Sequence, residues 1–251
     1  MNISLAAEPL FHLGSFPVTN SLLVSWVVLF LLVIIGFAVR RKLSLVPRGI
    51  QNVVETIFEA LLGLMDSVTQ NRKQSIKFFP IVVTLFLFVI LSNWMGLLPG
   101  MGTIGLMKEL HGERVLVPFI RAASADLNMT LALAIISVVT VQIFGIATIG
   151  LKKYAGKFFV SPLKEPYFIG TFVGILELIS ELSRLLSYSF RLFGNIFAGE
   201  ILLTVMLFLA PYLVPLPFLM LEIFVGFVQA LVFSILTLVF MKMATVEHAE
   251  H

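Results

Sequence analysis

The 251-residue chain contains no cysteine, which excludes disulfides, thiol catalysis and thiolate metal sites and leaves the redox compartment unread. Charge is scarce as well: Asp, Glu, Lys and Arg make up 12% of the residues against 59% apolar, and the mean hydropathy is +1.05. Soluble domains carry about one quarter charged residues, so the composition excludes that class and indicates a polytopic membrane protein. The first 21 residues hold no Lys or Arg, and the first apolar run starts only near Leu22. A cleaved signal needs a basic start and an early apolar run, so the expectation is an uncleaved chain with an exposed, mobile N-terminus. His12, His111, His248 and His251 are scattered; no metal or cofactor is expected, and the closing EHAEH reads as a solvated tail.

What is present is apolar runs bounded by basic residues. Residues 22–39 form an uncharged run close to the roughly 20 residues of a bilayer crossing, followed at once by Arg40, Arg41 and Lys42. By the positive-inside rule that end is cytoplasmic and the N-terminus lies outside. Residues 50–68 then place Ile50, Val53, Val54, Ile57, Phe58, Leu61, Leu62, Met65 and Val68 at spacings of three and four, opposite Gln51, Asn52, Glu55, Glu59 and Asp66. This predicts an amphipathic helix on the cytoplasmic surface. Its acidic polar face is either a docking face for a protein or simply solvated. Further spans are predicted over about 78–98, 127–150 and 217–241. The outer loop 99–126 carries three basic residues against seven in 40–77, and Lys152, Lys153, Lys157 and Lys164 follow the third span, in keeping with the charge asymmetry. Lys242 places the C-terminus in the cytoplasm.

Between Pro166 and Pro211 there is no proline, and residues 166–209 read as one helix. Its 44 residues span about 66 Å at 1.5 Å per residue, against a hydrocarbon core of about 30 Å, so a single crossing requires a tilt of roughly 60°. With the last span it forms a long, steeply tilted helix hairpin. At about 100° per residue, Ser187, Asn195, Arg184, Ser180 and Glu177 all lie within about 40° of Arg191, with Glu181 at the border of the stripe and Glu200 on the opposite face. Charge inside a membrane normally faces protein or water, and a guanidinium at the centre costs from about 2.5 to well over 10 kcal/mol. Arg184 has Glu181 within reach for pairing. Arg191 has no acid three or four residues away, and a permanently protonated guanidinium without a local partner invites a carboxylate from another chain. On the last span Glu222 and Gln229 share one face. Glu200 with Glu222, and Glu177 with Glu181, thus form two acidic pairs on either side of a fixed cation, the layout of two proton-accessible half-pathways. A self-contained secondary transporter and a non-conducting scaffold are the competing readings; the inverted repeats common in transporters are not found.

SYSFRLFGNIFAGE at 187–200, GFVQALVFSILTLVF at 226–240, SADLN at 124–128 and SNWMGLLPG at 92–100 resemble the subunit a family of F-type ATP synthases over nearly the whole chain. The resemblance implies an all-α, single membrane domain (1–251) of about five membrane helices and one interfacial helix, in a membrane, by expectation the bacterial inner (plasma) membrane. It implies a proton-translocating stator subunit whose Arg191 faces a ring of c subunits, with Arg184, Ser187 and Asn195 on the same c-ring-facing side. Glu200, Glu222, Gln229, Glu177, Asn195, Asp126 and Asn128 are then the other proton-translocation residues; for Asp126 and Asn128 the alternative is a cap on the helix at 127. The implied partners are the c ring, the b subunits of the peripheral stalk, which have the first span and the 50–68 helix as candidate docking sites, and lipid, with no nucleic acid. No GxxxxGK[ST] loop occurs, so the chain is not expected to make or hydrolyse ATP itself. Proton and sodium versions of the subunit are not distinguished.

Overall fold

A computed structural model describes residues 7–41, 49–98, 100, 104–110, 113–156 and 169–245. Lys42, Pro47, Lys157, Lys164, Pro166, His111 and the tail from 246, on which some of the expectations above rest, lie outside these residues.

The chain is an all-α polytopic membrane protein. Among the described residues, five helices are long and apolar enough to cross a membrane: α1 (Asn20–Arg41), α3 (Arg72–Met95), α4 (Leu127–Ile149), α6 (Ile169–Leu209) and α7 (Pro215–Thr245). The amphipathic helix is α2 (Ile50–Thr69), and a short α5 (Leu151–Gly156) follows α4. Helix α3 starts six residues before the predicted span, because Asn71 caps it by accepting from the Lys73 amide at 3.0 Å and Arg72, Lys73 and Lys77 are good helix formers. Apolarity marks where a helix meets lipid, not where it begins.

The segment 169–209 is one uninterrupted helix of 41 residues, about 61 Å long, running through Gly194 and Gly199. Helix α7 tolerates Pro215 and Pro217 because both stand in its first turn, where backbone N–H groups need no intrahelical partner. The two helices are antiparallel: Asn195 meets Gln229, Gly199 meets Glu222, and Arg184 meets Phe240.

Two loops are more ordered than the sequence suggested. The segment before α1, expected to be mobile, contains an antiparallel hairpin of β1 (Pro9–Leu13) and β2 (Phe16–Thr19), with Leu10 and Val18 buried. Gly14, at φ 66°, makes the turn. The predicted outer loop contains a second hairpin, β3 (Gly105–Leu110) with β4 (Glu113–Pro118). A 3-10 turn at Ala123–Ala125 then leads into α4.

The core sits between α3, α4, α6 and α7, around Val89, Ala134, Leu192, Ala230 and Phe233, and continues at the other end through Met65, Phe78, Val82, Leu238 and Met241. Helix α1 is peripheral and presents Trp26, Phe30, Ile34 and Phe37 outward. Helix α2 packs Leu61 and Met65 against the core but leaves Val53, Ile57 and Leu64 exposed, while Gln51, expected on the solvated face, is buried and donates to Glu55 at 2.8 Å.

Side-chain hydrogen bonds join these apolar faces. Thr130 on α4 meets Ser189 on α6 at 3.2 Å, and Ser137 on α4 meets Thr237 on α7 at 2.7 Å. From α3, Asn93 donates to the Gly226 carbonyl at 3.0 Å and Trp94 to the Ile223 carbonyl at 3.1 Å. Lys242 at the end of α7 donates to the Val68 carbonyl of α2 at 2.9 Å. Apolar faces alone gain little by meeting in lipid, so small residues and such bonds fix the partners. A double-mutant cycle of Ser137→Ala and Thr237→Val, read by thermal unfolding in detergent, is expected to return a coupling of about 0.6 to 1.7 kcal/mol; zero coupling would make this bond incidental.

Candidate functional site

The charged and polar side chains of α6 and α7 fall into three groups along the hairpin. At the Lys242 end, Arg184 of α6 donates to Glu181 at 2.6 Å and to Ser180 at 3.4 Å, and lies 3.6 Å from Glu177. Its guanidinium carbon sits 4.8 Å from the ring centre of Phe240 on α7, a cation–π distance. Arg184, expected on one stripe with Arg191, is half-buried and makes the pairing with Glu181 that its spacing allowed, turned to carboxylates at i−3 and i−7 that Arg191 lacks. Tyr154 of α5 closes the same end. Its ring fills the space left by Gly145, where a Cβ would lie 2.4 Å from a ring carbon, and its hydroxyl donates to Gln142 of α4. Burial, with the Glu181 carboxylate nearby, pushes the Tyr154 phenol up to about 12, so it stays protonated and can only donate or accept hydrogen bonds.

In the middle, Ser187, Arg191 and Asn195 are all exposed, on one face of α6. The face behind them is the packed one: Tyr188, Ser189, Leu192, Phe193 and Ile196 are buried. Arg191 donates to the Ser187 hydroxyl at 3.1 Å and has no ion pair among the described residues. At the edge of the stripe Asn195 donates to Gln229 of α7 at 2.7 Å; Gln229 is itself buried. The stripe predicted by periodicity thus bridges to α7 through Asn195 and leaves the guanidinium open to the outside of the bundle.

At the Glu222 end, two acids lie together behind α6. Glu222 is buried and packs against Gly199, where an added Cβ would lie 1.8 Å from a carboxylate oxygen. Gly199 is the notch that admits Glu222. Next in sequence, Glu200 receives the Nε–H of Arg121 on both oxygens, at 3.0 and 3.2 Å, and its charge acts on Glu222. Arg121, missed at the sequence level, arrives from the link between β4 and the 3-10 turn. The available signal was a lone cation in the apolar stretch VPFIRAASAD.

Asp126 is buried at the same end and caps α4: one oxygen accepts from the Asn128 amide at 2.9 Å, the other from the Ser21 hydroxyl of α1 at 2.7 Å. Asn128 is exposed. The hairpin therefore presents an acidic cluster at each end and an unpaired guanidinium between them, on the face away from the Glu222 pocket.

Comparison with known proteins gives this arrangement a family. The chain is 33% identical over 231 residues to the ATP synthase subunit a of Moorella thermoacetica, covering 92% of this chain and 93% of the relative. It is 37% identical over 219 residues to that of Campylobacter jejuni subsp. doylei, covering 87% of each. With the subunit a of Syntrophobacter fumaroxidans it shares 32% over 237 residues, covering 94% of this chain and 88% of the relative. Residues 22–242 match the family model described as ATP synthase A chain, and the chain belongs to that family.

Proposed function

We propose that the chain is the proton-translocating stator subunit of the ATP synthase membrane sector, with two offset half-channels separated by Arg191, which faces a ring of carboxylate-bearing c subunits. The observation that carries this reading is Arg191 itself: exposed in the middle of α6, held by Ser187 at 3.1 Å, and without an ion pair among the described residues. A permanent cation so placed is stabilised by a carboxylate from a neighbouring chain, and because it does not give up its proton it blocks a proton from passing straight through.

In this reading protons enter at the Glu222 end, past Glu200 and Glu222, and neutralise a c-subunit carboxylate. They ride the ring through most of a turn and leave at the Lys242 end past Glu177 and Glu181. Asn195 and Gln229 hold the two helices together beside the point of transfer. The N-terminus and the Glu222 end face outward, and the Lys242 end faces the cytoplasm. Each charge crossing contributes about 2.3 kcal/mol per 100 mV, which drives rotation and, in the catalytic sector, ATP synthesis. The exposed Val53, Ile57 and Leu64 of α2, with the outer face of α1, are the proposed contacts for the b subunits.

Replacing Arg191→Ala in the whole complex, in inverted membrane vesicles, is expected to abolish ATP-driven proton pumping; undiminished pumping would remove Arg191 from the mechanism. Gly199→Ala fills the notch occupied by Glu222 and is expected to lower proton flux by roughly fivefold to a hundredfold, since overpacking of about 1–3 kcal/mol must be relieved by moving the carboxylate. Adding Glu222→Asp, one carbon shorter, should recover part of that flux. No difference between the single and double variants would show that the notch does not position Glu222.

A further inference from the structure

The hairpin that precedes α1 carries an apolar face that stays exposed over its outer part. Phe11 stands opposite Val18, and Leu13 opposite Phe16; residues opposite one another in a hairpin, or two apart along a strand, share a face. These four side chains therefore form one apolar face, with His12 and its partner Pro17 on the other. Val18, at the base, is fully buried, whereas Phe11, Leu13 and Phe16 are 45%, 61% and 58% exposed. The base itself is clamped. The Asn20 amide donates to the Glu8 carbonyl at 3.2 Å, the Asn20 side chain donates to the Pro118 carbonyl at 3.4 Å, and Leu10 is buried. The fold thus holds this face in position and leaves it open.

Its place in the chain says what covers it. Helix α1 has 22 residues, about 33 Å of helix against a hydrocarbon core of about 30 Å, and Arg40 and Arg41 close one end. Asn20 therefore stands at the opposite boundary of the core, and the strand that ends at Thr19 starts at headgroup depth. No Asp, Glu, Lys or Arg occurs between Glu8 and Arg40, so the hairpin is as free of charge as the span it leads into. Helix α1 is also a rim helix. Its exposed Leu29, Trp26, Phe30, Val27, Leu31 and Ile35 sweep an arc of about 240° at about 100° per residue, while a single packed neighbour covers a stripe of roughly 100°. Most of α1 consequently faces lipid even with a b subunit against it, and the hairpin is joined to that lipid-facing rim.

We propose that the β1–β2 hairpin is an interfacial anchor, with Phe11, Leu13 and Phe16 resting in the headgroup and acyl boundary of the bilayer while His12 and Pro17 face water. Aromatic and leucine side chains are those that interfacial segments bury, to about 5–10 Å, in that boundary. Seated there, the hairpin fixes the depth of α1 at the end opposite Arg40 and Arg41. The anchor is independent of the proton path above.

Spin labels on single cysteines test this in the complete complex, reconstituted into phosphatidylcholine liposomes. The chain's lack of cysteine makes each introduced thiol its sole label, and complex carrying the unsubstituted chain supplies the background from the other subunits. At Leu13→Cys and Phe16→Cys, collisions with oxygen, which concentrates in lipid, are expected to exceed those with a water-soluble nickel chelate several-fold. At His12→Cys the order is expected to reverse. Phe11→Cys reads the same face should either tip variant fail to assemble. Nickel access at Leu13 and Phe16 equal to that at His12 means a solvated face and overturns the proposal. Shielding of Leu13 and Phe16 from both reagents also overturns it, because protein then covers the face, and so does an oxygen excess at His12, because the hairpin is then not one-sided.

Discussion

Hydrocarbon offers no hydrogen bonds, and this constraint accounts for most of the polar geometry in the bundle. Several hydroxyls and amides within the spans are turned to one another or to backbone carbonyls: Ser137 to Thr237, Thr130 to Ser189, Asn93 to the Gly226 carbonyl, Asn195 to Gln229. The same pressure folds Arg184 back onto Glu181 and Phe240 and draws Arg121 in from a loop to meet Glu200. Arg191 stands apart because its face of α6 is open and, among the described residues, its one hydrogen-bond partner is Ser187. Among the described residues, Arg184 and Arg121 meet carboxylates of this chain, and Arg191 does not.

Helix α6 separates two environments simply by having two sides. The outward side carries Ser187, Arg191 and Asn195; the inward side carries the core residues Leu192 and Ile196 and then Gly199, whose missing side chain admits Glu222 from α7. Because the hairpin is antiparallel, the polar end of one helix meets the polar end of the other, and acids gather at both ends while the middle stays packed. The single cation on the outward side is thus insulated from the Glu200–Glu222 pocket by the helix itself.

Much of this was legible in the sequence because it is periodic. Long apolar runs give spans, the absence of proline over 167–210 gives an unbroken helix, and a 100° step places Arg191 opposite Glu200. The family resemblance rests on motifs that include those same residues. What escaped the sequence was non-periodic. Arg121 and Glu200 are 79 residues apart, and nothing local to either announces the other. The two hairpins lie in segments too short and mixed for an alternating pattern to stand out, and Tyr154 acquires meaning only because Gly145, nine residues earlier, leaves room for its ring. Arg184 was ambiguous on periodicity alone, since it shares a stripe with Arg191, and the carboxylate three residues before it decided its direction.

The continuity of α6 also has a mechanical side. A helix of 41 residues without a proline or a break in its hydrogen-bond ladder is a stiff strut, and this one is tied at several heights: to α7 through Arg184 and Phe240, Asn195 and Gln229, to α4 through Ser189 and Thr130, and to the β4–α4 link through Glu200 and Arg121. A sideways push on the open face at Arg191 is therefore not absorbed by local bending. It is shared among three separate supports, so the exposed cation holds its position under load.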